Sequence, residues 1–164
     1  MEITLEQSLA AAIRFIQDNA SDGTEWYFTK IPENYYVPSV YFKPPYTAGR
    51  KATLRSWCST ITFICCFMEA EDWDAYAKVS DMRDRIMLSG CKIPVFGTDG
   101  EPNGEFVRVG MPSTQKIDDG IEQLSFEIET YFHPEKDTQK AEKIIAAWRS
   151  AAEKMDGGAR DAGS

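Results

Sequence analysis

Thirteen consecutive residues, Ser56 to Met68 (SWCSTITFICCFM), carry no charge. In an extended chain successive side chains point to opposite faces. Trp57, Ser59, Ile61, Phe63, Cys65 and Phe67 therefore share one face, and Cys58, Thr60, Thr62, Ile64, Cys66 and Met68 the other. A strand with no charged face needs cover on both, which is the position of a central strand. The rest of the chain must supply a sheet around this strand and helices to seal it.

The flanking patterns supply both. Leu5 to Asn19 places Leu5, Leu9, Ala12, Ile13 and Ile16 on one helical face, with Thr4 and Gln7 spaced as a capping box. Glu25 to Thr29 (EWYFT) and Pro38 to Phe42 (PSVYF) read as short strands. Prolines at both ends of the second suggest an edge, because proline cannot donate to a ladder. Tyr46 to Lys51 reads as a loop. Acidic residues from Glu69 to Asp74 suit the start of a helix, expected over about Trp73 to Leu88 with Tyr76, Val79, Met82 and Ile86 inward. Lys92 to Phe96 and Glu105 to Met111 flank a long polar hairpin tip, Gly97 to Gly104. Ile121 to Phe132 alternates cleanly, with Leu124, Phe126, Ile128 and Phe132 inward and Gln123, Ser125, Glu127, Glu129 and Tyr131 on a wetted side. A last helix is expected over about Asp137 to Met155, with Ala141, Ile144, Ile145, Trp148, Ala152 and Met155 as its apolar stripe. The order α-β-β-β-α-β-β-β-α predicts an α+β fold, a mostly antiparallel sheet with helices packed beside it. Residues 1–155 form one domain in this reading, and 156–164 a flexible tail with nothing to bury.

A chain of 164 residues suits one domain and can bury roughly two-thirds of its unfolded surface without a disulfide or metal. Its net charge of −8 argues against duplex binding, which rests on Lys and Arg neutralising phosphates. Cys58, Cys65, Cys66 and Cys91 contain no C-x-x-C pair, and Cys65 and Cys66 point apart in a strand, so all four read as small hydrophobes. The N-terminus MEITLEQSLAAAIRF lacks a signal-peptide pattern, and the longest apolar stretch, Ile61 to Met68, is far short of the ~20 residues of a membrane span. A protein made and kept in the cytoplasm is expected.

Candidate chemistry is sparse. Asp99, Glu101 and Asn103 open like a calcium loop, but its twelfth position, which requires a bidentate carboxylate, is Gly110. Glu69, Glu71, Asp72 and Asp74 are local in sequence, whereas two-metal sites draw acids from separate elements. Glu127 and Glu129 share one strand face, as exposed acids do. His133, the single histidine, precedes Pro134 without an obvious Ser or Cys partner. The sequence holds no Gly-rich phosphate loop, nucleophile elbow or dinucleotide fingerprint. Two features remain. Trp26, Tyr27, Phe28, Tyr35, Tyr36, Tyr41, Phe42 and Tyr46 crowd together, more than a core alone requires, and Tyr and Trp favour interfaces. From Gly97 to Glu129, eight acids against Arg108 and Lys116 carry −6 of the total charge. That segment reads as an acidic surface, either simply solvated or one that must not hold DNA.

In these parts the chain resembles the tail terminator (tail completion) proteins of long-tailed bacteriophages. An N-terminal helix leads to a Tyr-rich segment ending PSVYFKPP. The strand TLRSWCSTITFICCFM runs into the helix EAEDWDAYAKVSDMRDRIML, and a hairpin precedes IEQLSFEIETYF. The resemblance covers roughly residues 1–133 and is one of pattern and order; the C-terminal helix with Trp148 is less typical of it. It implies a virion protein that forms a homo-oligomeric ring, usually a hexamer, at the tail end. Such a ring stops tube polymerisation and joins the head. It implies no catalysed reaction, cofactor, metal or membrane. The partners implied are the tail tube protein, a head-completion or connector protein, and DNA that passes through without specific binding. On this expectation Trp26, Phe28, Tyr35, Tyr36 and Tyr41 serve a subunit interface. Asp118, Asp119, Glu122, Glu127 and Glu129 line the lumen. Asp99, Glu101 and Asn103 lie on a loop that reaches a partner. The competing readings are a head-closure or neck adaptor protein, a small metal-dependent hydrolase using Glu69, Asp72 or the Glu127–Glu129 pair, and a host-side regulatory domain.

Overall fold

The structure, a computed structural model, describes residues 3–54, 56–132 and 137–160. Among them run α1 (Leu5–Asn19), β1 (Glu25–Phe28), β2 (Ser39–Thr53), β3 (Ser56–Met68) and α2 (Asp72–Leu88). Then follow β4 (Lys92–Phe96), β5 (Pro102–Arg108), β6 (Ser113–Asp118), β7 (Ile121–Phe132) and α3 (Asp137–Arg160). The fold is α+β. One sheet has the order β1-β2-β3-β7-β6, and β4 and β5 form a separate hairpin. Every pairing is antiparallel except that of β1 with β2.

The uncharged strand β3 is central, between β2 and β7, and both strand boundaries match the pattern in the sequence. Its register sets the core. Val40 lies beside Phe67, Phe42 beside Cys65, Cys65 beside Leu124, and Phe63 beside Phe126, all on one face. Against that face pack Leu9, Ala12, Ile13 and Ile16 of α1, and Val79, Met82 and Ile86 of α2. Ile93, Val95 and Val107 of the hairpin join the same cluster. Rings form a ladder across four strands: Phe28 to Phe42 at 5.1 Å, Phe42 to Phe63 at 6.0 Å and Phe63 to Phe126 at 4.8 Å between centroids. Helix α1 starts at the expected capping box. Gln7 N donates to Thr4 Oγ1 at 3.2 Å, and Thr4 N donates to Gln7 Oε1 at 2.9 Å.

Several expectations are corrected. Residues 46–51 are not a loop: β2 continues to Thr53, with its register shifted between Lys43 and Tyr46, where Pro44 and Pro45 sit, and again between Lys51 and Thr53. A bulge absorbs the two missing donors and the ladder resumes. Ser39 to Phe42 is not an edge but lies between β1 and β3. Tyr76 points outward, and Ala75 takes its place with Val79, Met82 and Ile86 on the buried stripe. The sequence reading omitted β6, which pairs with β7 across a tight turn ending in Gly120. The second hairpin arm starts at Pro102, so the tip is shorter than expected. Helix α3 passes Met155 and reaches Arg160, and Ile145 is exposed. His133 and residues 161–164 lie outside the described residues. Among the described residues no helix is long and apolar enough to cross a membrane.

Candidate functional site

Strand parity splits the aromatic set. Trp26 and Phe28 pair with Val40 and Phe42, whose side chains face the core. Both rings stack on Phe42, Trp26 at 5.9 Å. Both are half-buried, with one side of each ring in the packing of β1 against the core. Tyr27 and Tyr41 take the opposite face. Tyr27 Oη accepts from Tyr36 N at 3.1 Å, and Tyr41 Oη donates to Thr29 O at 3.1 Å, so the two hydroxyls tie the 29–38 connection to the strands. Burial raises the Tyr41 hydroxyl above its ordinary pKa. Tyr36 is 73% exposed and Tyr35 is at the margin of exposure.

The face of the sheet opposite the core is the wetted side. Across it run the rows Tyr41–Cys66–Gln123, Lys43–Ile64–Ser125, Tyr46–Thr62–Glu127, Ala48–Thr60–Glu129 and Arg50–Cys58–Tyr131. Long polar side chains on β2 and β7 bridge over the short ones of β3. Lys43 Nζ donates to Gln123 Oε1 at 3.3 Å, and Arg50 Nη2 reaches Glu129 Oε1 at 3.0 Å. Tyr131 Oη donates to the other Glu129 oxygen at 2.9 Å. These bridges help to cover the buried Cys58 and Cys66 beneath them. Burial pushes the Cys65 thiol well up and the Cys66 thiol up, so both are poor thiolates. The Arg50 hydrogen bond, then that of Tyr131, holds the Glu129 carboxyl below its ordinary range.

The five acids expected to line a channel do not share one surface. Glu127 and Glu129 are exposed on the wetted face. Glu122 pairs with Phe67 in the register, points the other way and is 8% exposed. Asp118 and Asp119 are at the β6–β7 turn. The physical reason is the two-residue period of a strand: Glu122 has even parity with Leu124, whereas Glu127 and Glu129 are odd.

The hairpin tip is held to the body. Arg14 Nη2 donates to Gly100 O at 2.8 Å, and its guanidinium lies 3.8 Å from the centroid of the Phe96 ring. Asp99 Oδ1 accepts from Glu101 N at 3.1 Å, and Asn103 Oδ1 from Glu105 N at 2.9 Å. Asp99, Glu101 and Asn103 are exposed, yet their side chains also organise their own turn.

Of the carboxylates considered for hydrolysis, Glu69, Asp72 and Glu129 are held by cationic partners. Glu69 pairs with Lys78 at 2.5 Å. Asp72 accepts from Gly120 N and pairs with Lys116 at 2.9 Å. The Gly120 N–H and then Lys116 hold the Asp72 carboxyl below its usual range, and Asp72 in turn raises Lys116. Among the described residues no group of three His, Cys, Asp or Glu side chains is arranged to hold a metal. The sequence reading missed Arg50 and Arg14, whose partners are 79 and 86 positions away and leave no local signal. It also missed the exposure of Trp73 and Tyr76, although four acids around Trp73 mark a solvated segment.

No protein-family model matches the chain. The chain is 24% identical over 94 residues to the phage-like element PBSX protein XkdJ of Bacillus subtilis (strain 168). The match covers 57% of this chain and 64% of that protein, less than two-thirds of its length. By this distant similarity the chain is phage-related.

Proposed function

We propose that the protein is a structural component of a phage tail. Identical copies close as a ring on the end of the tail tube, halt its polymerisation and present the surface that the head joins. The distant similarity to a phage-like element protein supports the phage setting, and the resemblance in strand and helix order supports the tail-end position. The carrying observation is the margin of the sheet. β1 pairs with only Ser39 to Phe42 of β2, so among the described residues Lys43 to Ala52 keeps one side of its ladder free. An unpaired edge of that length is a template for another chain. A closed ring needs two different patches on each subunit, and a long free sheet margin supplies one of them. Glu127 and Glu129, exposed on the wetted face, would meet DNA in such a ring with charge of its own sign.

The test is electron microscopy of the purified full chain mixed with polymerising tail tubes. The reading expects a ring of density at one tube end and tubes that stop growing. Tubes that grow unchanged and bare would overturn it. Attachment to filled heads instead would assign the protein to the head-closure side of the neck.

A further inference from the structure

We infer that neighbouring copies dock head to tail through oppositely charged ends of the β3 axis, so that each end of one copy is occupied by a second copy of the chain. This rests on the ring reading above and names the contact that would build it. From Asn34 to Met68 the sequence has four bases and no acid, and from Glu69 to Asp74 it has four acids and no base. β3 separates the two compositions. Its 13 residues span about 40 Å at ~3.3 Å each.

At the basic end is the β2–β3 turn. Lys51 is exposed there, Leu54 is 91% exposed and Trp57 is 50% exposed. Arg50 is partly neutralised by Glu129. At the acidic end α2 begins. Glu69 N donates to Gly120 O at 2.8 Å and Asp72 accepts from Gly120 N, which brings the Asp118–Asp119 turn beside the helix start. Lys78 and Lys116 compensate Glu69, Asp72 and Asp119. Among the described residues Glu71, Asp74 and Asp118 have no ion pair. In their midst Trp73 is 80% exposed, edge-on to Tyr76 with centroids 5.9 Å apart.

Each end thus combines charge with large exposed apolar groups, the composition of an interface rather than of a merely solvated pole. The charges are complementary, and Trp73 and Tyr76 offer ring faces to a cation. Because the ends are about 40 Å apart, one molecule cannot satisfy itself. The contact is heterologous and closes if its rotation divides the circle. Its acidic half would repel DNA.

The test uses the full chain with tail tubes, scored by ring counts in electron micrographs and by sedimentation. Lys51→Glu and Asp74→Lys should each cut ring yield about tenfold, and the double variant should recover to within about threefold of the parent. Trp73→Ala should cut yield at least tenfold at an unchanged melting temperature, because so exposed a ring contributes little to the fold. If the parent forms rings and both single variants do too, or if the double variant is no better than the singles, the contact is overturned and the ring reading stands. If the parent forms no ring with or without tubes, the ring reading fails and the contact with it. If Lys51→Glu changes retention on duplex DNA and not ring yield, the β2–β3 turn serves nucleic acid and the inference is overturned.

Discussion

Replacing Phe42 with alanine tests the division between core and surface aromatics. Phe42 is 1% exposed and its ring meets three others: Phe28 at 5.1 Å, Trp26 at 5.9 Å and Phe63 at 6.0 Å. A buried Phe→Ala change costs about 3–5 kcal/mol through lost transfer energy and the cavity left behind. Aromatic pairs add roughly 0.5–1.5 kcal/mol each, so the upper half of the first range, about 4 kcal/mol, is expected. For a chain of this length that lowers the melting midpoint by roughly 10 °C. β1 should suffer most, since its four-residue ladder is anchored by Trp26 and Phe28 on Phe42. Urea unfolding followed by tryptophan fluorescence measures the loss, with Phe42→Leu as a control costing about 1 kcal/mol. Trp26→Ala and Phe28→Ala should also destabilise the monomer, whereas Tyr36→Ala should leave it unchanged. A Phe42→Ala cost below about 1.5 kcal/mol would mean that β1 is not docked as described. Trp26 and Phe28 would then be wholly free for a subunit contact.

Gly120 has a φ of +71° and a Cβ placed there would run into the Glu69 carbonyl, so Gly120→Ala should open the β6–β7 turn and lower the melting temperature by several degrees; an unchanged melt refutes the close approach. Asp72 has a depressed pKa, so its contribution is present above the unfolded value near 3.9 and is lost as pH falls through the lower folded value. Acid titration followed by circular dichroism should therefore show a shallower acid limb for Asp72→Ala than for the parent, and parallel limbs would remove that role. Reversing Glu127 and Glu129 to Lys should slow DNA release from assembled particles without preventing ring formation. Release at the parent rate would show that these acids do not line the channel.

The sheet was legible where periodicity reports burial directly. β3 and β7 have long uniform patterns, and both were readable to the residue. The capping box of α1 is a local hydrogen-bonded device with a local signature, so it was readable as well. The misses share a different cause. Pro44 and Pro45 look like a stop, because a proline pair removes two donors, but a bulge lets β2 resume beyond them. In α2 the large apolar Tyr76 masks the small Ala75, although 75, 79, 82 and 86 keep the better helical spacing. β6 is too polar to show a core pattern, yet Asp119–Gly120 before a strand is a turn signal that was available. Of the candidate surfaces, parity alone would have separated Glu122 from Glu127 and Glu129. The Arg50–Glu129 and Arg14–Gly100 contacts depend on strand order and hairpin packing, which no local pattern encodes.

The length of β3 is itself informative. Helices and hairpin cover the sheet where Phe42, Phe63, Cys65, Phe67, Leu124 and Phe126 are buried. Beyond Tyr46 the strand residues of β2 are almost all exposed, and Trp57 with them. Ladder hydrogen bonds in water contribute little net stability, and ordering each residue costs backbone entropy. On β3 burial continues to Cys58, opposite Arg50, so a fold selected only to seal this core would end the β2–β3 arm near Arg50. The arm instead runs on past Arg50 to Thr53, carries bases without acids, and turns at an almost fully exposed leucine. The extra length has a use if the arm reaches another molecule, and its charge matches the acidic end of the same chain. On this argument, shortening the arm by a symmetric deletion confined to the part beyond Arg50 and Cys58 should leave the monomer as stable as the parent and abolish ring formation. A monomer destabilised by more than about 2 kcal/mol would show that the arm serves the fold instead.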